Sequence, residues 1–206
     1  MLEVPVYSTD GQQIDTLRVD EGLFGGSVNV ALLKQAVVAY HANRRQGTVQ
    51  TKGRGDVVGS TRKLYHQKHT GNARRGNIRT NIMRGGGMAF AKRPRDFRQK
   101  LPRNMRRAAL DSAILAKMLG KDLLVVDGLV LDAPKTARMA QVLTNLKIDR
   151  SCLLAVAQRD PNVYLSARNI PGVAVRTAAE LNAFDVATRR KMLVTADAMK
   201  FLMREA

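Results

Sequence analysis

The chain has 206 residues, 45% apolar and 25% charged, a composition that supports one packed domain, or one domain with an extension. Its 35 Lys and Arg against 17 Asp and Glu give a formal net charge of +18 and a pI near 10.9, which points to an anionic partner, either nucleic acid or an acidic membrane surface. A single cysteine, Cys152, excludes an internal disulfide framework, and no apolar run approaches the roughly 18 residues of a membrane-spanning helix.

The first stretch, MLEVPVYSTDGQQ, lacks the basic start and apolar run of a signal peptide, so the expected compartment is the cytoplasm. Glu3 to Tyr7 and Ile14 to Val19 read as short strands split by a Thr-Asp-Gly turn signal. A helix is expected from about Val28 to Asn43, with Ser27 as N-cap and Val30, Leu33, Val37 and Tyr40 on one face.

The pattern then stops. Residues 44–107 hold 19 Lys and Arg and two acids, Asp56 and Asp96, for a net charge of +17, whereas the other 142 residues are net +1. Nine of the 16 glycines lie in the segment, and no helical or strand period persists from Arg44 to Asp96. Such a segment cannot offset its conformational entropy by burial. A structureless stretch of that length inside a domain is either functional or disordered. Arg outnumbers Lys, which favours phosphate recognition by forked planar donors. A membrane-surface binder would instead present a basic amphipathic helix, and this stretch has none.

Regular elements resume with a helix from about Pro102 to Leu119, Pro102 in its first turn and Gly120 as its stop, with Leu110, Ile114 and Met118 on its apolar face. Strands are expected at Asp122 to Val126, Ser151 to Ala157, Val173 to Arg176 and Lys191 to Val194. Helices are expected at about Lys135 to Leu146, Pro161 to Arg168 and Ala178 to Asn182, and from Ala196 to Arg204 behind a Thr195 cap. Strand-helix alternation with nearly continuous apolar strands predicts a three-layer α/β/α domain with a mostly parallel sheet, plus a long extended basic loop. The expected organisation is one α/β domain over residues 1–206, interrupted by the loop at about 44–100.

The enzyme reading finds little support. Gly22-Leu-Phe-Gly25-Gly26-Ser27 precedes a helix but has neither dinucleotide nor P-loop spacing. His66 and His69 lack the further ligands a metal would need. Cys152 sits in an apolar strand, as a small core residue would. No G-x-S-x-G elbow occurs, and Asp127 and Asp132 are two separated acids flanking a strand end. No catalytic residue, cofactor or metal is expected.

Specific motifs lie in the basic segment and beyond it. Arg45 to Thr48 (RQGT), Thr51 to Arg54 (TKGR), Gly59 to Lys63 (GSTRK), Gln67 to Arg74 (QKHTGNAR), Arg84 to Gly87 (RGGG), Pro94 to Asp96 (PRD) and Arg103 to Leu110 (RNMRRAAL) follow one another in order. APKTA at 133–137, LSARNI at 165–170, NAFDV at 182–186 and MLVTAD at 192–197 follow. In these elements nearly the whole chain resembles the bacterial large-subunit ribosomal protein L-four family (universal name uL-four).

The resemblance implies a structural constituent of the large subunit. Its α/β domain would lie on the solvent side, and its loop would thread the ribosomal RNA to the wall of the peptide exit tunnel. It implies binding to large-subunit rRNA early in assembly, contact with neighbouring large-subunit proteins and with the nascent peptide, and ribosome-bound cytoplasmic localisation. It implies no membrane partner, no homo-oligomer and no enzymatic activity. Some members of the family also repress their own operon through messenger leader RNA. The rRNA-binding residues it implies are Arg44, Arg45, Lys52, Arg54, Arg62, Lys63, Gln67, Lys68, Thr70, Gly71, Arg74, Arg75, Arg79, Arg84, Gly85, Gly86, Gly87, Lys92, Arg93, Arg95, Lys100, Arg103, Arg106 and Arg107. Tyr65, His66, Lys68 and His69 would form the tunnel tip. There the usual Lys-Pro-Trp-Arg-Gln is Lys63-Leu64-Tyr65-His66-Gln67, and the usual Lys-Gly-Thr-Gly-Arg is Lys68-His69-Thr70-Gly71-Asn72. Stiffness, bulk and two cations are lost, while Tyr65 and the two His retain the ability to stack on bases. An RNA-acting α/β enzyme with a basic arm, and a membrane-surface binder, are the readings from other classes.

Overall fold

A computed structural model describes residues 1–203. Those residues form six strands and six α-helices. The strands are β1 (Leu2–Tyr7), β2 (Gln13–Val19), β3 (Leu123–Val126), β4 (Cys152–Val156), β5 (Val173–Thr177) and β6 (Lys191–Thr195). The helices are α1 (Val30–Asn43), α2 (Arg103–Leu119), α3 (Thr136–Asn145), α4 (Pro161–Ala167), α5 (Ala183–Thr188) and α6 (Ala196–Met203). The chain divides into two compact units, one of Met1–His41 with Gln99 onward, the other Ala42–Arg98.

The first unit is the expected α/β domain. Its sheet runs β2-β1-β3-β6-β4-β5, parallel throughout except for the antiparallel β1–β2 hairpin at one edge. The strand period of two explains the layers. Leu153 and Ala155 of β4, with Met192 and Val194 of β6, enter one core together with Ile114, Leu115 and Met199. Cys152, Leu154 and Val156, with Leu193, enter the opposite core against Met139, Val142 and Val163. All five residues of β4 are buried, as a central strand covered on both faces requires. Edge strand β2 is mostly exposed, Ile14 included. Gly11 closes the β1–β2 turn at φ 84°, and a Cβ there would meet the Asn145 carbonyl oxygen at 2.5 Å, so both conformation and space select glycine.

The structure corrects several local expectations. The N-cap of α1 is Asn29, whose Oδ1 accepts from Leu32 N–H at 3.0 Å, and not Ser27. Val30 is exposed, and Ala36 and Ala39 are the buried residues of α1. The sequence VALLKQAVVAY is apolar nearly all round, so its period does not single out a face. Pro102 is the N-cap of α2 and not a first-turn residue. Gly120 ends α2 in a right-handed conformation, and the left-handed residue is Lys121 at φ 52°. Ala178–Glu180 is a single 3-10 turn and α5 follows it, capped by Asn182 Oδ1, which accepts from Asp185 N–H at 2.9 Å. A further 3-10 turn, Glu21–Phe24, buries Phe24. For α6, Thr195 Oγ1 accepts from Ala198 N–H, and the expected end at Arg204 lies outside the described residues.

One polar cluster ties α2 to the start of β6. Asp122 takes an ion pair from Lys191 at 2.8 Å, and Lys117 Nζ donates to the carbonyls of Arg189 and Arg190 at 2.6 and 3.0 Å. The hydrogen bond from Lys191 holds the Asp122 carboxyl below its ordinary value, while burial pulls the Lys117 ammonium below its own.

Candidate nucleic-acid interface

The second unit contains almost no regular structure, yet its two legs are pinned together. The Arg95 amide donates to the Gly47 carbonyl at 3.1 Å, the Thr51 amide to the Lys92 carbonyl at 3.0 Å and the Met88 amide to the Lys52 carbonyl at 3.0 Å. Thr51 Oγ1 also accepts from the Lys92 amide at 2.7 Å. At the base of the legs, the Arg45 and Arg95 guanidinium groups cover the Phe97 ring at 3.6 and 4.3 Å. Neither Phe97 nor Arg98 was among the residues implied by the resemblance. The run Arg95-Asp96-Phe97-Arg98, an aromatic between cations, is the signal that could have found them.

Beyond the legs the chain folds on itself around glycines. A Cβ on Gly86 would lie 1.9 Å from the Thr80 carbonyl oxygen, and one on Gly87 2.4 Å from the Arg54 nitrogen. Gly85 has open space and is set instead by its left-handed φ of 77°. The three glycines of RGGG therefore serve the unit's own backbone. At the tip, the Leu64 amide donates to the Gly76 carbonyl, Lys63 Nζ to the Arg75 carbonyl and to Gln67 Oε1, and the Tyr65 hydroxyl to the Ala73 carbonyl. His69 holds a left-handed φ of 64°, where the resemblance places glycine.

This scaffold turns its charge outward. Both acids of the segment bind backbone donors, Asp56 Oδ2 accepting from Gly53 N–H and Asp96 Oδ1 from Arg98 N–H. Of the implied rRNA-binding cations in this unit, Arg79 is half-buried and the rest are exposed. Arg79 Nε and Asn77 Oδ1 are enclosed without a hydrogen-bond partner among the described residues. Gln67, Gly71 and Gly85 are exposed, Thr70 and Gly86 half-buried, and Gly87 is interior. At the tip, His66, Lys68 and His69 are exposed and Tyr65 is half-buried.

Lys100, Arg103, Arg106 and Arg107 belong to the first unit, all exposed. The three arginines crowd the N-terminal end of α2, which has no acid in its first turn. That end carries the positive pole of the helix dipole, so cations there disfavour the free helix and suit an anion placed against it. With Tyr40, Leu110 and Phe201 they line a recess of about 780 Å³.

Past the ends of β4 and β5 lies a smaller recess of about 200 Å³, where Arg159 and Arg176 stand with Asp160 and Glu180. Burial raises the Cys152 thiol to about 12, which keeps it protonated and unreactive at neutral pH. Among the described residues, no helix is long and apolar enough to cross a membrane, and no group of three or more His, Cys, Asp or Glu could hold a metal ion.

The chain is 45% identical over 199 residues to large ribosomal subunit protein uL4 of Symbiobacterium thermophilum, covering 97% of this chain and 96% of that one. Proteins of the same name from Moorella thermoacetica and Pelotomaculum thermopropionicum are 43% and 46% identical over equal spans. The sequence profile of the ribosomal protein L4/L1 family matches residues 17–205. The match spans both the α/β domain and the basic arm, and the chain belongs to the ribosomal protein L4/L1 family.

Proposed function

We propose that the chain is a structural constituent of the large ribosomal subunit, cytoplasmic and ribosome-bound, whose arm binds large-subunit rRNA. The observation that carries the reading is the arm itself: a backbone-pinned scaffold with 15 Lys and Arg between Ala42 and Arg98, both of its acids turned to backbone donors. Phosphates supply the missing counter-charge, with the Arg and Lys side chains fixing register. RNA is read by shape and by unpaired bases rather than through a base-pair code.

In this reading Lys100, Arg103, Arg106 and Arg107 add a second phosphate contact at the start of α2. His66, Lys68 and His69, braced by Tyr65, form the tunnel tip and meet the nascent peptide. Neighbouring large-subunit proteins contact the α/β domain, which acts as a monomer without cofactor or catalysis. Repression of the chain's own message would use the same arm, and a leader-reporter fusion reads it directly.

The test is co-sedimentation of the tagged protein in a lysate at moderate and high salt. Retention in the large-subunit peak after the high-salt wash is expected. Release into the top fractions as salt rises sinks the assignment and reopens the reading of an enzyme that acts on RNA. Binding to isolated rRNA should weaken with salt, with a log-log slope of about −7 if roughly ten phosphates on unpaired RNA are engaged.

A further inference from the structure

Two phenylalanines of the arm stand in opposite conditions. Phe97 is covered by the Arg45 and Arg95 guanidinium groups. Phe90 is 96% exposed. Isolated surface apolar residues are ordinary, but the setting of Phe90 is not. The backbone is pinned on both sides of it, at Met88 to Lys52 and at Lys92 to Thr51, so the ring is presented from a fixed scaffold. It stands at a recess of about 770 Å³ within the arm, a volume in the range of small-molecule sites. Four cations, Arg45, Lys92, Arg93 and Arg95, line that recess and no acid does.

An exposed ring carried on a pinned backbone beside cations is an arrangement by which proteins bind unpaired bases. The base stacks on the ring while the charges take the phosphates on either side. A duplex presents no free base face, and a polyanion without bases presents nothing to stack. A lipid surface would want several apolar side chains on one face of a helix, whereas Phe90 and its exposed apolar neighbours Val49 and Met88 lie on non-helical legs and on no common helix face.

We propose that Phe90 is a base-stacking residue, and that the recess between Phe90 and Phe97 takes one unpaired nucleotide of large-subunit rRNA. The inference rests on the rRNA-binding reading of the arm and adds to it a site that discriminates bases from charge alone. The nucleotide's phosphates lie against Lys92 and Arg93, and its base covers the ring that the chain itself leaves bare.

The chain contains no tryptophan, so Phe90→Trp in the full-length protein introduces a unique fluorophore at the site. Titration with single-stranded oligouridylate and oligoadenylate should quench its emission, whereas inorganic polyphosphate of matched charge should leave it nearly unchanged. Phe90→Ala should weaken binding to a large-subunit rRNA transcript roughly tenfold or more, and leave the salt slope unchanged because no phosphate contact is lost. Equal quenching by polyphosphate, or an rRNA affinity of Phe90→Ala within about twofold of the unaltered chain, overturns the stacking site alone. Failure of the unaltered chain to bind the transcript overturns the rRNA reading and the stacking site with it.

Discussion

Every residue of β4 is buried, whereas between Arg44 and Arg98 the only buried residue is Gly87. The α/β domain is specified from within, by side chains that leave water on alternate faces of one sheet. The arm is specified by backbone hydrogen bonds, tight glycine contacts and one aromatic ring clamped by two arginines. Most of its Lys and Arg side chains are exposed. On the proposed reading, stability and rRNA binding fall to separate parts of this chain, and mutation should separate them.

The most severe way to break that division is to remove the arm. Replacing Ala42 to Arg98 with a short Gly-Ser linker deletes 15 of the 35 Lys and Arg but no member of either core cluster. The domain should keep its cooperative thermal unfolding, while its rRNA affinity falls at least about a thousandfold, since phosphate contacts supply most of the binding. Filter binding and calorimetry on the same preparation check both halves. Binding that survives the deletion would move the main contact to the start of α2.

The reverse experiment attacks the core. Leu154 is fully buried between α3 and α4 on one side of the sheet. Leu154→Ala should cost about 2–5 kcal/mol in denaturant unfolding. At temperatures where the variant is folded, its rRNA affinity should match the parent's. A parallel loss of affinity would mean that the domain positions the arm more tightly than this division allows.

These two regions were also unequally legible from sequence. Apolar runs such as SCLLAVA and KMLV announce buried parallel strands, and the sheet follows from their alternation with helices. α5 escaped because six residues with mixed polarity carry no readable period, and its cap is visible only once Asn182 and Asp185 face each other. The face of α1 was legible in part: Leu33, Val37 and Tyr40 are half-buried, but Val30 is exposed and the two fully buried residues are alanines. The charge of the arm was legible, since it is a local count. Its architecture was not, because Thr51 and Lys92 meet across 41 residues through backbone groups that every sequence possesses. The separate duties of Gly85, Gly86 and Gly87 likewise appear only in three dimensions.

The glycines allow a finer cut inside the arm. Gly87→Ala forces a Cβ within 2.5 Å of Arg54 backbone atoms, and nothing flexible can yield. Gly85→Ala meets open space and carries only the left-handed penalty, about 1 kcal/mol. Gly87→Ala should therefore speed amide exchange at Gly87 and Met88, whose N–H groups bond Arg79 and Lys52, and lower rRNA affinity more than Gly85→Ala does. Neither change should move the thermal midpoint of the α/β domain. Equal effects at the two positions would show that the interior packing of the arm is irrelevant to binding.

The smallest expected effect isolates electrostatics within the domain. Asp122 is faced by Lys191 at 2.8 Å, by Arg190 at 3.8 Å and by the nearby Lys117 ammonium. Chiefly through the Lys191 hydrogen bond, its folded-state carboxyl titrates below the unfolded value near 3.8. The folded chain then binds fewer protons than the unfolded one around that pH. The stabilisation is thus fully present above the unfolded value and drains away as pH falls through the folded one. Asp122→Asn should cost on the order of 1 kcal/mol at pH 7, because the amide still accepts from Lys191 but loses the charge assistance. The gap between parent and variant should stay constant from neutral pH to about pH 5, begin to shrink near the unfolded value, and close only once pH has fallen through the lower folded value. Chemical denaturation at stepped pH measures it, with rRNA affinity at neutral pH as the control that should not change. A gap that does not shrink at all as pH falls below the unfolded value would mean that the carboxylate works through geometry rather than charge, and that the link between α2 and β6 depends on the Lys117 contacts to the Arg189 and Arg190 carbonyls instead.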